Sequence, residues 1–541
     1  MTGAWTDHLI VAPILLPLVG AAVMLLFDER RIMMKRAIGL ATTAALLVIS
    51  ILLLKGAASA GFAGEPATTA YLIGNWPAPF GIVLVIDWLS ALMLVLTSIL
   101  GFTSLVYSLA RWDRAGPRFQ ALFLLQLMGL NGAFLTGDLF NLFVFFEVLL
   151  AASYGLLLHS SGTVRVKTGL HYVAINIATS LLFLIGAALI YGVTGTLNMA
   201  DLAVRIPAVA GTDLPLLQSG MAILGIAFLV KAGMWPLGLW LTRTYAAAVP
   251  PVAALFTILS KVGVYALLRV YLLLFGGEVG WTANFGEEWL LFGGMATIAY
   301  GTIGVLAVRT LSGIAGHCLL ISSGTLLATI GAGQGDVLGG ALFYLVSSTL
   351  GISAFYLLIE LVERREAHAQ PQAVAEPVFD DEYTGSLEEN REDEVGVVIP
   401  ATIAIIGGGF VFCTLLMAGL PPLSGFVAKF AIIDGLLGLQ ETIAAPIWWL
   451  IALIVLSGLA TLVATTRAGI DLIWTPSDQP QPALRLAEAV PVGILLAVCL
   501  GLIVFAGPTM RYMERTGQSL ADRQGYINSV LGAVPAGEAA R

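Results

Sequence analysis

Charge is scarce in this sequence. Of 541 residues only 11% are charged and 58% are hydrophobic, with a mean hydropathy of +0.92. Soluble domains run at about 25% charged, so a soluble globular fold is excluded, and hydrophobicity this high excludes a disordered chain. Basic residues are also too few for a nucleic-acid binder, since 26 Lys and Arg face 34 Asp and Glu, a formal net charge of -8. Cysteine is nearly missing: Cys318, Cys413 and Cys499 stand alone in apolar runs, without CxxC or Cys/His spacing. No disulfide framework, metal site or cofactor is read from them.

What is present is long apolar runs. A helix needs about 20 apolar residues to cross a hydrocarbon layer of ~30 Å. Fourteen such runs occur, near 8-27, 36-54, 84-110, 117-136, 139-158, 168-192, 217-242, 251-275, 288-308, 313-332, 338-360, 397-438, 446-466 and 488-510. The first is read as a span and not as a cleaved signal, because no basic stretch precedes it and Asp28, Glu29, Arg30 and Arg31 follow without a small-residue cleavage site. The expected fold is an all-α polytopic membrane protein.

Lys and Arg mark the cytoplasmic side. They cluster after the odd-numbered runs, as Arg30/Arg31/Lys35/Arg36, Arg111/Arg114/Arg118, Arg165/Lys167, Arg243, Arg309, Arg364/Arg365/Arg391 and Arg467/Arg485. The other side has Lys55, Arg205 and Arg269 in its loops, and both termini are expected outside the cell, with the chain in the inner (cytoplasmic) membrane. Residues 361-396 carry eleven acids, among them Asp380, Asp381, Glu382 and Glu388, against Arg364, Arg365 and Arg391. Low hydrophobicity with high charge makes this a solvated cytoplasmic linker, with docking on a basic partner protein as the alternative.

The sequence has six lysines, and three of them, Lys231, Lys261 and Lys429, fall within spans, whereas none of the arginines is placed at mid-span. A lysine ammonium can lose its proton when desolvated or placed beside another cation; arginine stays charged. Glu147 is the one carboxylate in the middle of a span. An ionisable group at that depth costs several kcal/mol and begins as a functional-site hypothesis, the alternative being an internal ion pair with Lys231 that only ties helices together. Helical spacing sets Thr257 and Tyr265 on the face of Lys261, and Tyr154 on that of Glu147. His171, Asn176, Thr179 and Ser180 in the sixth span and Asn131 in the fourth add polar groups that serve as packing glue or hold water. His317 is either a packed histidine or a proton relay.

Two spans are interrupted, with Gly233 and Pro236 just after Lys231 and with Pro421, Pro422 and Gly425 just before Lys429. Unpaired backbone at membrane depth is tolerated only inside protein or beside a water-filled cavity. Matching breaks in two halves mark an inverted-repeat transporter. Spans four to eight then pair with nine to thirteen. The parts are 1-116 with spans one to three, 117-275 as the first repeat, 288-466 as the second repeat with the acidic loop, and 467-541 as the last span and an external tail.

At these residues the sequence resembles the antiporter-like family shared by Mrp (Pha, Mnh) multisubunit cation/proton antiporters and the membrane arm of respiratory complex I. The strings are GDLFNLFVFFEVLLAASY around Glu147, LVKAGMWPLGLWLTRTYAAAVPPVAALFTILSKVGVYALLR around Lys231 and Lys261, and LPPLSGFVAKF around Lys429. Within the family the chain looks most like the Mrp D-type proteins. The resemblance implies that Glu147 pairs with Lys231, that Lys261 bridges a central hydrophilic axis and that Lys429 lies on the exit side of a proton path. It also implies other antiporter subunits as partners in a hetero-oligomeric membrane complex. Family members commonly carry His where this chain has Gly238 and Ser347, so water or the Ser347/Ser348/Thr349 cluster has to substitute. The function implied is proton translocation in exchange for Na+ or K+, with no redox cofactor. The alternative is a pump component of complex I or membrane-hydrogenase type, and a third class is a purely structural scaffold.

Overall fold

The computed structural model describes residues 8–28, 30–62, 68–116, 118–160, 162–209, 211–275, 284–333, 335–369, 401–438, 444–471 and 484–534. Among them eleven helices are long and apolar enough to cross a membrane, and three shorter apolar helices stand where the first, fourth and twelfth runs were expected. The chain is a mostly helical, multi-pass membrane protein.

In chain order the helices are α1 (Ala12–Leu25), α2 (Ile32–Phe62), α3 (Trp88–Ser108), α4 (Phe119–Leu135), α5 (Leu139–Leu157), α6 (Thr163–Thr194) and the short α7 (Met199–Arg205). The first broken span follows as α8 (Leu214–Ala232) and α9 (Leu239–Ala247), then α10 (Pro250–Phe275), α11 (Glu287–Ala307), α12 (Leu311–Gly331) and α13 (Asp336–Ala369). The second broken span is α14 (Ala401–Ala418) and α15 (Ser424–Gly438); α16 (Ala445–Gly469), α17 (Leu486–Val504), α18 (Ala506–Ala521) and α19 (Arg523–Leu531) complete the order. Helices α10, α12 and α13 are almost wholly enclosed, whereas α2 and α17 show most of their surface. Leu52 and Leu500, apolar and exposed on those outer helices, suit a lipid face.

Both breaks are built alike. In the first, the Gly233 N–H reaches the Val230 carbonyl at 3.2 Å and the Met234 N–H reaches Leu229 at 3.0 Å. In the second, the Gly419 N–H reaches Leu416 at 3.2 Å and the Leu420 N–H reaches Leu415 at 3.0 Å. Each is a Schellman turn closed by a glycine in the left-handed region, at φ 81° and 77°. Carbonyls that proline and the turn would leave unpaired are thus satisfied within the bundle.

Four expectations need correction. The fold is not purely helical: Thr69–Leu72 (β1) and Val83–Ile86 (β2) pair antiparallel, and β2 occupies the start of the expected third span. β-branched Val and Ile favour extension there, and Asp87 then caps α3 by accepting from the Ser90 N–H at 2.8 Å. Residues 361–369 continue α13 instead of opening the acidic loop, since Glu, Leu, Arg and Ala are strong helix formers; residues 370–396 of that loop lie outside the described residues. The last span, expected to reach about residue 510, ends at Val504, and the residues after it form α18 and α19, which fold back over α3, α7, α10 and α13. Finally, Arg269 is inside α10, 6% exposed, in an ion pair with Asp87 at 2.6 Å.

Candidate functional site

The enclosed helices bring most of the sequence-predicted residues into one polar row. Glu147, half-buried on α5, accepts a hydrogen bond from Ser180 of α6. One turn away on α6, Asn176 accepts from the Lys231 ammonium at 3.4 Å, and Lys231 also stands over the Phe146 ring at 5.3 Å. No contact ion pair joins Glu147 and Lys231 in this structure; α6 stands between them with a hydroxyl for one and an amide for the other. The expected pairing is therefore indirect, because each charge has found a neutral partner on the same helix face.

Lys261 is 0% exposed. Its helix approaches α8 closely at Gly263, where a side chain would collide with the Lys231 and Ala232 backbone at 2.5–2.8 Å. A cavity of about 10 Å³ lies beside Lys231, lined also by Asn176, Trp240, Leu259 and Val262. On its other side the Lys261 ammonium donates to Ser322 at 2.7 Å and Ser323 at 3.4 Å, both on α12. Ser322 in turn bonds Ser348 of α13 at 2.8 Å, and the neighbouring Ser347 bonds Ser424 at the start of α15 at 2.8 Å.

A second cavity, about 20 Å³, follows, lined by Ser347, Ser348, Cys318, Thr461 and Gly425. That is room for a single water beside polar side chains. Beyond it Lys429, 8% exposed, donates to the Ala418 carbonyl at 2.9 Å, an acceptor at the end of α14. The row thus runs from α5 through α6, α8, α10, α12 and α13 to α15.

Some predicted residues fall outside it. The Thr257 hydroxyl donates to the Ala254 carbonyl of its own helix at 2.8 Å, and Tyr265 donates to the Phe134 carbonyl at 2.7 Å, so neither serves the row directly. His317 bonds the Gly313 carbonyl at 2.8 Å and lies beside the Tyr300 ring at 6.1 Å, a packed histidine. Tyr154 stands edge-on to Tyr172 at 5.4 Å. Gly238 could not be a histidine on this backbone, because a Cβ there would lie 2.1 Å from the Gly233 carbonyl oxygen. Asn131 donates to the Pro13 carbonyl at 2.9 Å and ties α4 to α1.

Sequence reasoning missed Ser322, Ser323 and Cys318. Lone serines in a span read as packing, and the signal that marks these two is adjacency on the most enclosed part of the bundle. A larger cavity, about 690 Å³, lies beside the first break, but its lining (Met221, Phe228, Met234, Leu267, Phe275 and Trp289 among others) has no charged side chain. Its chemistry suits an apolar chain and not an ion, so the polar row is the functional candidate.

Residues 136–377 match the family model described as NADH:quinone oxidoreductase/Mrp antiporter, TM. The chain is 53% identical over 539 residues to the D component of a probable K(+)/H(+) antiporter of Rhizobium meliloti, covering 98% of this chain and 99% of that protein. The chain belongs to the family of Mrp-type antiporter D components. A more distant relative in this family, the D component of the Na(+)/H(+) antiporter of Alkalihalophilus pseudofirmus, is 32% identical, with 97% and 99% of the two chains covered. The family fold is matched by a chain of the Mrp complex from Dietzia sp. DQ12-45-1b, with a TM-score of 0.81, 25% identity, and 98% and 100% covered. Respiratory complex I from Thermus thermophilus contains a chain of similar fold, with a TM-score of 0.73, 23% identity, and 96% and 99% covered.

Proposed function

We propose that this chain is the proton-translocating component of a multisubunit Na+ or K+/H+ antiporter of the inner membrane, assembled with other antiporter subunits and driven by the proton gradient. It crosses the bilayer fourteen times with both termini outside, and its spans four to eight and nine to thirteen form inverted repeats. The observation that carries the reading is the row of four ionisable groups, Glu147, Lys231, Lys261 and Lys429, with hydroxyls, an amide and two small cavities beside them in a bundle with two matched breaks. The names of its antiporter relatives support cation/proton exchange.

The driving step is electrostatic. A unit charge brought to ~4 Å at an effective dielectric near 20 is worth about 4 kcal/mol. With Glu147 on Ser180 and Lys231 on Asn176, the pair is open. Closing it draws the positive charge of Lys231 away from Lys261, which then holds its own proton more readily; opening it again expels that proton toward Ser322. Ser348, a water in the second cavity and Lys429 continue the path, Ser347 taking the place of a family histidine. The four groups titrate as a coupled set.

Lys261→Arg and Lys429→Arg test this. Charge and approximate length are kept, but a guanidinium does not release its proton, so both variants lose most cation-dependent proton flux in vesicles with the complex assembled. Full flux in both removes the lysine relay. Lys231→Arg is the mildest of the three. A complex I-type role is the second reading, favoured by 31% identity to the N component of an NADH-quinone oxidoreductase of Desulforudis audaxviator, over 90% of each chain. Copurification with iron-sulfur and flavin proteins in place of small antiporter proteins decides for it.

A further inference from the structure

At the end of the bundle marked by basic residues, a second cavity-bearing site stands apart from the lysine row. Its floor is the N-terminus of α4. The N-cap residue, Arg118, supplies no side-chain acceptor to the first turn, so backbone N–H groups of that turn point outward with the positive end of the helix dipole. A cavity of about 20 Å³ opens there, lined by Phe119, Gln120 and Ala121 of that turn and by Lys35, Asp113 and Arg118.

Two features ask for a guest. Gln120 is 5% exposed, yet its amide nitrogen and oxygen are both without a hydrogen-bond partner; a buried amide in that state calls for a ligand or a water. The charge around it is predominantly positive as well. Asp113 is held by Arg36 through two bonds at 2.6 and 2.8 Å, while Lys35 lines the wall and exposed Arg118 adds a guanidinium at the rim, with Arg30 and Arg31 and the acids Asp28 and Glu29 nearby in sequence. Helix N-termini with such surroundings bind phosphate. The volume admits one oxygen-sized group, so a phosphate would insert a single oxygen toward Gln120 and rest its remainder against Arg118.

The rim decides which phosphate. Leu25 and Ile32 line the cavity, and Leu25, Leu26, Met33 and Met34 beside it are exposed, Leu26 by 84% and Met33 by 73%. A cationic pocket bordered by bare apolar side chains matches a headgroup with acyl chains attached. We propose that this pocket binds the phosphate of an anionic phospholipid, clamping α1 and α2 to α4.

The test measures thermal unfolding of the full-length chain within its assembled complex, delipidated in detergent, with phosphatidylglycerol, phosphatidylcholine or inorganic phosphate added. Phosphatidylglycerol raises the unfolding temperature by about 3 °C or more, and the other two do not. In the double variant Lys35→Gln, Arg118→Gln the rise falls to less than half. Gln120→Leu, which removes the unpaired amide, keeps or raises the lipid-free unfolding temperature while also losing most of the rise, so a folded variant is available for comparison. An equal rise with phosphatidylcholine, an equal rise with inorganic phosphate, or an undiminished rise in folded variants each overturns the assignment.

Discussion

In the first half Lys231 precedes its break, in the last turn of α8; in the second half Lys429 follows its break, in the second turn of α15. The turns are the same Schellman geometry, but the lysines meet different partners. Lys231 has a carboxylate within one helix face's reach, with Asn176 and Ser180 interposed. Lys429 has none among the described residues, and its ammonium rests on the Ala418 carbonyl, at the negative end of α14. A broken helix can therefore supply the counter-charge for a membrane lysine from its own backbone. One half sets a carboxylate near its lysine and the other a fixed dipole.

The largest expected effect comes from removing the carboxylate. Glu147→Gln removes a half-buried carboxylate from the first half, and proton flux falls by more than about tenfold, ~1.4 kcal/mol, at normal protein levels. Undiminished flux leaves the carboxylate a structural role and erases the contrast between the halves. A smaller effect strikes the second half. A Cβ at Gly458 would lie 2.4 Å from the Ala418 carbonyl oxygen and 3.0 Å from the Lys429 ammonium. Gly458→Ala separates that contact and lowers flux several-fold, whereas Gly493→Ala, with nothing within 4 Å of the added methyl, leaves flux unchanged. Equal flux in the two variants means that Lys429 does not depend on the helix end.

The smallest effect concerns acid stability outside the spans. His159 bonds the Trp112 carbonyl at 2.7 Å and lies against Phe119 at 4.8 Å; burial holds its imidazole below the ordinary range, outweighing that hydrogen bond. The folded state therefore favours neutral imidazole. Its contribution is complete above the unfolded-state value of about 6.5 and is lost as pH falls below it. Between about pH 7.5 and 5.5 the unfolding temperature of the native protein drops further than that of His159→Gln. Parallel drops would show that the first half's basic end is indifferent to this proton.

Hydropathy, proline and glycine made the helices and both breaks legible, and the charge that the membrane penalises made Glu147, Lys231, Lys261 and Lys429 stand out. Partners were harder to see. A backbone carbonyl such as that of Ala418 has no signature of its own, and Ser322 differs from a packing serine only in what lies opposite. Arg269 sits close enough to a span's end to look like a loop residue, because its anion, Asp87, is far away in the chain. β2 was hidden by being apolar enough to extend a helix.

The Arg269–Asp87 ion pair lies beneath Tyr526 of α19, whose ring is 5.4 Å from the guanidinium, and Tyr512 of α18 donates to the Trp88 carbonyl at 2.8 Å. These covering residues are synthesised after everything they cover. Because earlier segments settle first during translation, this face of α10 stays uncovered until α18 and α19 arrive. Maturation of that face is consequently a late event, timed by the last helices of the described chain and independent of how early the lysine-bearing helices assemble.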